Sequence, residues 1–307
     1  MEERALASLT VSEEYTRRLE MMTSLSGGEG EWRAIAVASA VNTARIFYGG
    51  RGIWYDATRT RGLQPPGVTV GVLHTGRHYE DALADDGLLY FYPQTASVGK
   101  DDAEIEATKN AGRLGLPIFV VVNAGQTRVV NLSWVEDWDD AQRCFLIRFG
   151  ERIPDAEPGA PRALEDFHMF VEAKRPRSAA TRITRRGQSA FAFRVKQYYG
   201  AICAACGLAV PTLVVAAHIV PVQHDGSDDE RNGLPLCPTH HEAFDRGLVM
   251  IDPDSHEWRP TGDMTLELLQ ISKADLRWLP QRPAPAALAW RLEHPAPYAS
   301  PTPVAAT

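Results

Sequence analysis

The spacing of hydrophobic and polar positions changes along the chain. Residues 12–25 predict a first helix, which the glycines that follow would end. The chain then turns to short runs rich in Val, Ile and aromatic residues, each bounded by Gly, Pro, Asn or Asp, a pattern that is typical of strands. These runs are 67–73, 87–93, 116–122, 128–135 and 143–149. The segment DDAEIEATKNAGRLG has helical composition and a glycine stop, so it predicts a helix between two of the strands.

Up to about residue 150, these elements predict a mixed α+β domain built on a curved sheet or barrel. The chain then becomes irregular, and residues 189–200 predict a helix that leads into a second domain. The sequence thus divides into a first domain at 1–155, a basic linker at 156–187, a second domain at 188–285 and a tail rich in Pro and Ala at 286–307.

Composition adds one qualification about partners. With 307 residues and 44% hydrophobic content, the chain can form two separate cores. A formal net charge of -7 would usually argue against a nucleic-acid partner, but net charge averages over local clusters. A charge run is as often a solvated face, but a basic run just before a candidate catalytic domain favours contact with phosphates. The basic residues of the linker are Lys174, Arg175, Arg177, Arg182, Arg185 and Arg186.

The N-terminal segment is charged and amphipathic, without the apolar region of a signal peptide, and no apolar run is long enough to span a bilayer. The sequence therefore predicts a cytoplasmic protein with no membrane partner. Three of its four cysteines fall in the last third of the chain. In a reducing compartment, such clustering favours a metal site over disulfides.

Two short motifs carry residues that bind metals. Cys203 and Cys206 form a Cys-x-x-Cys pair, and Cys237 and His240 form a Cys-x-x-His pair further along. Tetrahedral Zn²⁺ takes four N or S ligands, which two such pairs supply, so the sequence predicts a structural zinc site. The alternative is a set of buried free thiols beside an incidental histidine. Cys144 lies in a strand-like run and is most simply a core residue.

The remaining polar residues of segment 216–247 predict a second site. His218 ends an apolar, β-branched run, which predicts a strand, and Asn232 lies in the loop that follows. CPTHHEAFDRG should open a helix that presents His241 and Asp245 on one face, because they are four residues apart. An imidazole would then lie opposite a small cluster of hard metal ligands. His224 is more simply a loop residue.

Residues 188–252 resemble the HNH nucleases of the ββα-metal class, on the patterns A-H-I-x-P, N-G-L and C-P-x-H-H-x-x-x-F-D. The resemblance implies that His218 is the general base that activates water, and that Asn232 holds the loop and orients that base. It also implies that His241 binds a single Mg²⁺ or Mn²⁺, with Asp245 where some members place a second ligand. Many relatives have Asp or His directly before the base, where this chain has Ala217.

The chemistry of phosphodiester hydrolysis fits this set of residues. The reaction needs a base with a pKa near neutrality, which histidine has without perturbation. It also needs a cation that neutralises the charge growing on the transition state. The alternative for His218 is a core histidine with no chemical role.

The motifs of segment 61–95 are R-G-x-x-P-P, then Y-E-D, an acidic stretch, a glycine and a strand that ends in tyrosine. They resemble the SRA domain, and the likeness spans about 30–150. It implies an SRA/PUA-like curved β-barrel with flanking helices that flips 5-methylcytosine or 5-hydroxymethylcytosine out of the duplex. Tyr79 and Tyr92 would be walls of the base pocket, and Asp81 would accept from the cytosine amino group. Relatives carry an Asp where this chain has Ala82, so Asp85 and Asp86 stay open as the acid, and the tyrosines could simply pack in a sheet as Tyr90 would.

Together these features predict an α+β protein similar to restriction endonucleases that join an SRA-like domain to a zinc-stabilised HNH domain. Its partner would be double-stranded DNA with modified cytosine, and a homodimer would be needed for a double-strand break. Two alternatives remain open. The protein could be a reader of modified DNA that no longer cleaves, or a nuclease whose first domain recognises another feature, such as a backbone modification or an RNA-containing duplex.

Overall fold

The computed structural model describes residues 9–25, 30–33, 46–47, 52–75, 82–84, 86–124, 127–150, 152, 158–159, 164–171 and 187–295. The chain divides into two compact units, Met1–Arg162 and Ala163–Thr307. Among the described helices, none has the length and apolar character that crossing a membrane requires.

The first unit is a mixed α+β unit built on one sheet. Its elements are α1 (Val11–Ser24), β1 (Gly30–Arg33), β2 (Ile53–Tyr55), α2 (Ala57–Thr60), β3 (Thr69–His74), β4 (Ala82–Leu83), β5 (Gly87–Phe91), α3 (Val98–Arg113), β6 (Ile118–Ala124), β7 (Thr127–Asp139) and β8 (Cys144–Phe149). The strand order is β2-β3-β6-β7-β8-β5-β4, and β1 also pairs with β7. β3 and β6 pair in parallel, and the other described pairs are antiparallel.

This sheet confirms the mixed α+β prediction but not its finer form. Each of the five predicted strand runs overlaps a strand, and the predicted helix between two of them is α3. Within the described strands, β2 and β4 end the path and no pairing joins them. Closure into an SRA/PUA-like barrel therefore stays a prediction.

Both faces of the sheet are covered, which explains why its strands are continuous apolar runs. Along β6, Ile118 and Val120 belong to one buried cluster, while Phe119 and Val121 belong to another. Since successive side chains of a strand point to opposite faces, these clusters lie on the two sides of the sheet. α3 contributes to the first cluster and α1 to the second.

A buried ion cluster, which we call the Glu14 cluster, ties α1 to the sheet. The Glu14 carboxylate accepts from Arg17, Arg18 and Arg59. Arg18 also donates to the backbone oxygens of Thr69 and Pro117, at distances of 2.7 Å each. Burial alone would raise the pKa of Glu14, but the guanidinium groups lower it to about 2. The cluster therefore holds a charged carboxylate inside the unit.

The second unit has a hairpin followed by a helix at its centre. Its elements are α4 (Gln188–Tyr199), β9 (Val215–His218), β10 (Gly233–Leu236), α5 (Pro238–Asp245), β11 (Val249–Ile251), β12 (Trp258–Pro260) and α6 (Pro285–Glu293). β9 and β10 are antiparallel, and both contribute to one core with α4, α5 and α6. The sequence assigns 286–307 to a tail, whereas Ala287 and Leu288 are buried in this core.

Candidate active site

The four residues predicted to bind zinc come together in one cluster. Their ligand atoms all lie within 4.8 Å of one another. His240 Nδ1 is 3.0 Å from Cys237 Sγ and 3.5 Å from Cys203 Sγ, and Cys206 completes the group. His240 Nε2 lies 3.0 Å from the backbone oxygen of Leu269, to which it can donate. A metal-bound histidine has this pattern, with one nitrogen towards the metal and the other donating to a carbonyl.

The protonation of the cysteines indicates that this cluster is prepared for a cation. Burial would raise the pKa of Cys203, but the bonds from His240 and nearby backbone N–H groups lower it to about 6. Burial and the two neighbouring thiols raise the pKa of Cys206 to about 11. A positive charge between the sulfurs would favour the thiolate form of Cys206, and a bound metal ion would supply it. The donor set fits Zn²⁺, and such a cluster could hold it.

His218 ends β9 and has two side-chain neighbours that fix its ring. The imidazole stacks on Phe191 of α4, with ring centroids 3.6 Å apart and an interplanar angle of 11°. His218 Nε2 lies 3.0 Å from Asp228 Oδ1. The side chain is 17% exposed, so the ring is supported by protein and still reachable from solvent.

Ala217, the residue before this histidine, packs into the core of the unit and is fully buried. The neighbouring His218 is partly exposed, as the alternation of side chains along a strand requires. A methyl group in the core supplies no metal ligand. Any catalytic ion therefore needs its ligands from elsewhere in the site.

Asn232 is fully buried and joins two parts of the loop between β9 and β10. Its Oδ1 accepts from Val220 N at 2.9 Å, and its Nδ2 donates to the backbone oxygens of Val220 and Ser227 at 3.1 and 2.8 Å. Its backbone oxygen accepts from Ile219 N, next to His218. The amide thus fixes the loop through backbone groups.

His241 and Asp245 lie one helical turn apart on α5, as their spacing predicts. His241 Nε2 is 3.2 Å from Asp245 Oδ2, and the two side chains are 34% and 49% exposed. The bond to Asp245 raises the pKa of His241. A divalent cation here would replace the proton between them, because imidazole nitrogen and carboxylate oxygen are both metal ligands.

The C-terminal end of α5 is held by Arg291 of α6. Its guanidinium donates to the backbone oxygens of Phe244 and Asp245, at 2.8 and 3.0 Å. The last carbonyls of a helix lack partners within the helix and carry partial negative charge. The buried arginine therefore supplies both hydrogen bonds and a positive charge beside the His241–Asp245 pair.

Of the residues predicted to bind a modified base, the structure describes Tyr92 but not most of the others. Tyr79, Asp81 and Asp85 lie outside the described residues. Tyr92 is buried beside Phe145, and its hydroxyl donates to Asp140 at 2.9 Å. Burial and that hydrogen bond raise the pKa of Tyr92. Also outside the described residues are the basic residues of the linker, Lys174, Arg175, Arg177, Arg182, Arg185 and Arg186.

Besides Arg291, three residues in and around the site are absent from the sequence prediction. Asp228 belongs to an acidic stretch that is typical of a solvated loop, and Phe191 is an aromatic residue of a helix with no distinguishing neighbour. Leu269 acts through its backbone oxygen, which no side-chain pattern reveals. Only information on which residues contact each other in space could have indicated Asp228 and Phe191.

Comparisons with known proteins agree with the geometry of the second unit. A family model described as HNH endonuclease matches residues 203–252. This segment runs from the first zinc-site cysteine to the end of β11, so it includes the hairpin and α5. Residues 203–252 are an HNH endonuclease domain, and the predicted enzyme class, a metal-dependent DNA endonuclease, is confirmed. No curated protein sequence matches the chain.

Solved structures give weaker likenesses. A structure titled "Modification dependent TagI restriction endonuclease" has 20% identity and a TM-score of 0.33, and the match covers 86% of this chain and 90% of that chain. Two structures of KRYPTONITE, with mCHG DNA or with mCHH DNA and an H3 peptide, each have 14% identity and a TM-score of 0.29. They match 56% and 50% of this chain, and 42% and 39% of theirs. TM-scores at this level do not establish a common fold.

Proposed function

We propose that this chain is a modification-dependent DNA endonuclease. The first unit would bind 5-methylcytosine or 5-hydroxymethylcytosine flipped out of duplex DNA, and the HNH domain would hydrolyse a phosphodiester bond nearby. The observation that supports cleavage by the HNH domain is the placement of three side chains on one β-hairpin and the helix that follows it. An imidazole ends β9, and a histidine–carboxylate pair lies on α5.

His218 is the general base of this proposal. Imidazole exchanges a proton near neutral pH, so it can take one from water as the water oxygen attacks phosphorus. The stacked and hydrogen-bonded ring is already oriented, which avoids the loss of conformational freedom at the moment of reaction. Asn232 contributes by holding the loop whose backbone continues from His218.

His241 and Asp245 are the proposed ligands of a single Mg²⁺ or Mn²⁺. When bound, the ion would supply positive charge at the scissile phosphate, where negative charge grows in the transition state. The partial exposure of both side chains supports this role, because a reacting phosphate must reach the site. The cysteine-rich cluster, which is more buried, is the proposed structural zinc site that fixes the start of α5.

The proposal for the first unit rests on the sequence motifs of segment 61–95 and on the mixed sheet that carries them. A flipped base loses its stacking, and aromatic side chains with hydrogen-bond partners restore it. We propose Tyr79 and Asp81 for stacking and for binding the amino group. For Tyr92, the buried ring and the bond to Asp140 favour sheet packing over a pocket wall.

The remaining parts of the proposal concern the duplex. The basic residues of the linker would contact DNA phosphates, with an affinity that falls as salt rises. One HNH site cuts one strand, so a double-strand break would require two copies of the chain, most simply as a homodimer. Restriction of foreign modified DNA would be the biological role.

The test uses three matched plasmids, unmodified, methylated and hydroxymethylated at cytosine, each incubated with Mg²⁺ or Mn²⁺. We expect cleavage of one or both modified plasmids, and loss of cleavage in His218→Ala. Equal cleavage of all three would reject the dependence on modification and favour a nuclease that recognises another feature. If His218→Ala cleaves as the wild type does, the hydrolytic site is elsewhere.

The other alternative from the sequence, a reader of modified DNA that does not cleave, runs against the HNH endonuclease match at 203–252, and the buried Ala217 is the observation on its side. In that case the wild type would shift modified duplexes in a binding assay at the same concentrations at which it leaves them intact with either metal ion. Binding without cleavage would replace the first proposal.

A further inference from the structure

The carboxylate of Asp228 lies against the imidazole of His218 and belongs to none of the sequence motifs. Asp228 Oδ1 is 3.0 Å from His218 Nε2. We propose that Asp228 is a positioning residue that fixes the tautomer and orientation of the general base. This inference rests on the proposed function for its catalytic part, while its structural part can be measured without cleavage.

The argument for the tautomer comes from what a carboxylate can do. An ionised carboxylate only accepts hydrogen bonds, so the nitrogen that faces Asp228 must carry the hydrogen. With the hydrogen on Nε2, the lone pair of the neutral ring is on Nδ1. The base therefore has a defined atom that takes the proton from water, and the other tautomer would present an N–H group there.

The surroundings of both side chains are shaped to keep this contact. A Cβ at Gly233, opposite His218 in the hairpin, would lie 2.7 Å from Phe191 Cζ and 2.4 Å from Val195 Cγ2. Glycine at this position therefore lets Phe191 reach the imidazole. A Cβ at Gly187 would lie 2.6 Å from Asp228 Oδ2, so a second glycine makes room for the carboxylate. Two close approaches thus support one ring.

The reaction that follows can be written with its bonds and protons. Nδ1 of His218 takes a proton from water while the water oxygen forms a bond to phosphorus. The bond from phosphorus to the leaving ester oxygen breaks, and that oxygen takes a proton from solvent. Asp228 keeps its negative charge throughout and stabilises the imidazolium that forms, without accepting the proton. The imidazolium then returns its proton to solvent.

The closing experiment measures the tautomer and the rate in the full-length, zinc-loaded protein. Nitrogen-15 NMR of the histidine side chains reports which ring nitrogen carries hydrogen, and His218→Gln identifies the signal among the nine histidines. We expect the Nε2–H form in the wild type and a mixture of tautomers in Asp228→Ala. Asp228→Asn preserves the shape and removes the charge, and Asp225→Asn is the matched control in the same loop.

For cleavage of modified DNA, we expect kcat to fall on the order of 100-fold in Asp228→Ala, with KM little changed, because an oriented general base contributes about that much or more. Asp228→Asn should lie between this variant and the wild type, and Asp225→Asn should match the wild type. In a His218→Ala background, Asp228→Ala should change the residual rate little, since the residue acts through the base.

Each contrary outcome has a distinct meaning. A wild-type rate and tautomer in Asp228→Ala would overturn the inference. Full recovery of the Asp228→Asn rate at high Mg²⁺ or Mn²⁺ would also overturn it, because Asp228 would then be a metal ligand. If the wild type shows the Nε2–H form, loses it in Asp228→Ala and yet does not cleave DNA, the proposed function fails while the positioning contact stands.

Discussion

Helix α5 contributes side chains to two groups of candidate metal ligands. The groups differ in their ligand atoms, in their burial and in how well solvent can reach them. The cysteine-rich cluster has three sulfurs and a nitrogen, and most of its members are buried. The proposed hydrolytic group, His218, His241 and Asp245, has two imidazoles and a carboxylate, and its side chains are partly exposed. A closed tetrahedral set is typical of structural zinc, and an open set leaves positions for water and substrate. The comparison indicates that one short helix can serve both stability and chemistry.

Removal of the zinc site should have the largest effect on this comparison. We expect Cys237→Ser to lose bound zinc and to unfold the second unit, because structural zinc contributes roughly 10 kcal/mol or more in small zinc domains. Zinc content by mass spectrometry and thermal unfolding measure the two losses. Cys144→Ser, at a buried cysteine of the first unit, is the control and should keep its zinc. A folded and active Cys237→Ser would show that the cluster is not structural.

Loss of a ligand in the open group should affect the metal requirement and leave the fold intact. We expect His241→Ala to keep zinc and its melting temperature, and to cleave at least about 100-fold more slowly, because the charge at the phosphate is no longer held. Its activity should need more Mg²⁺ or Mn²⁺ than that of the wild type. Glu242→Ala, at an exposed neighbour on the same helix, is the matched control. Equal metal requirements in the two variants would reject His241 as a ligand.

The Glu14 cluster, which is buried and needs no metal, should give the first unit its own dependence on acid. The pKa of Glu14, about 2, is below its ordinary value of 4.5, so its stabilisation is complete above pH 4.5 and is lost as the pH falls towards 2. For the first unit, the loss should be roughly 3 kcal/mol once the pH is below 2, and roughly 2 kcal/mol of it should appear between pH 6 and pH 3. Denaturant unfolding at pH 6 and pH 3 measures it, and Glu14→Gln should lack this part of the pH dependence. The same slope in both proteins would contradict the assignment.

A methyl group at Gly233 should have a modest effect on the stability of the second unit and a visible effect on its chemistry. The added Cβ would contact Phe191 and Val195 far inside normal distances, so we expect Gly233→Ala to destabilise the second unit by about 1 to 3 kcal/mol. Cleavage should fall because the ring under His218 moves. Gly99→Ala, in α3 of the first unit, is the control for an added methyl group, because nothing lies within 4 Å of the added Cβ and the backbone there is ordinary helix. If Gly233→Ala cleaves normally, the stacking contact is not needed for the rate.

The sequence predicted the cluster of Cys203, Cys206, Cys237 and His240 and the strand–loop–helix order of the proposed hydrolytic site because these residues are close together in the chain. It did not predict the contacts of His218 with Asp228 and Phe191, because the first depends on how the loop between β9 and β10 folds back and the second on how α4 packs on the hairpin. An acidic loop residue and a helical phenylalanine have more common roles in solvation and core packing. Tertiary packing, rather than local spacing, decides such contacts.

In the first unit, the sequence predicted the strands but not the buried Glu14 cluster that ties α1 to the sheet. The apolar runs of β3, β5, β6, β7 and β8 are long and continuous, so their composition identifies them. The charged residues of α1 are typical of an exposed helix, yet Glu14 and Arg18 are fully buried. Their burial depends on mutual pairing and on two backbone oxygens of other segments, which periodicity does not encode.

Arg291, which binds the C-terminal end of α5, affects how much of the chain a nuclease fragment must include to keep its site intact. The family match ends at residue 252, but the guanidinium that holds Phe244 and Asp245 comes from position 291, and the ring under the base comes from position 191. A fragment cut to the signature would carry every recognisable ligand and lack both supports. A fusion of this nuclease to another DNA-binding protein should therefore include residues 187–295 as the nuclease fragment.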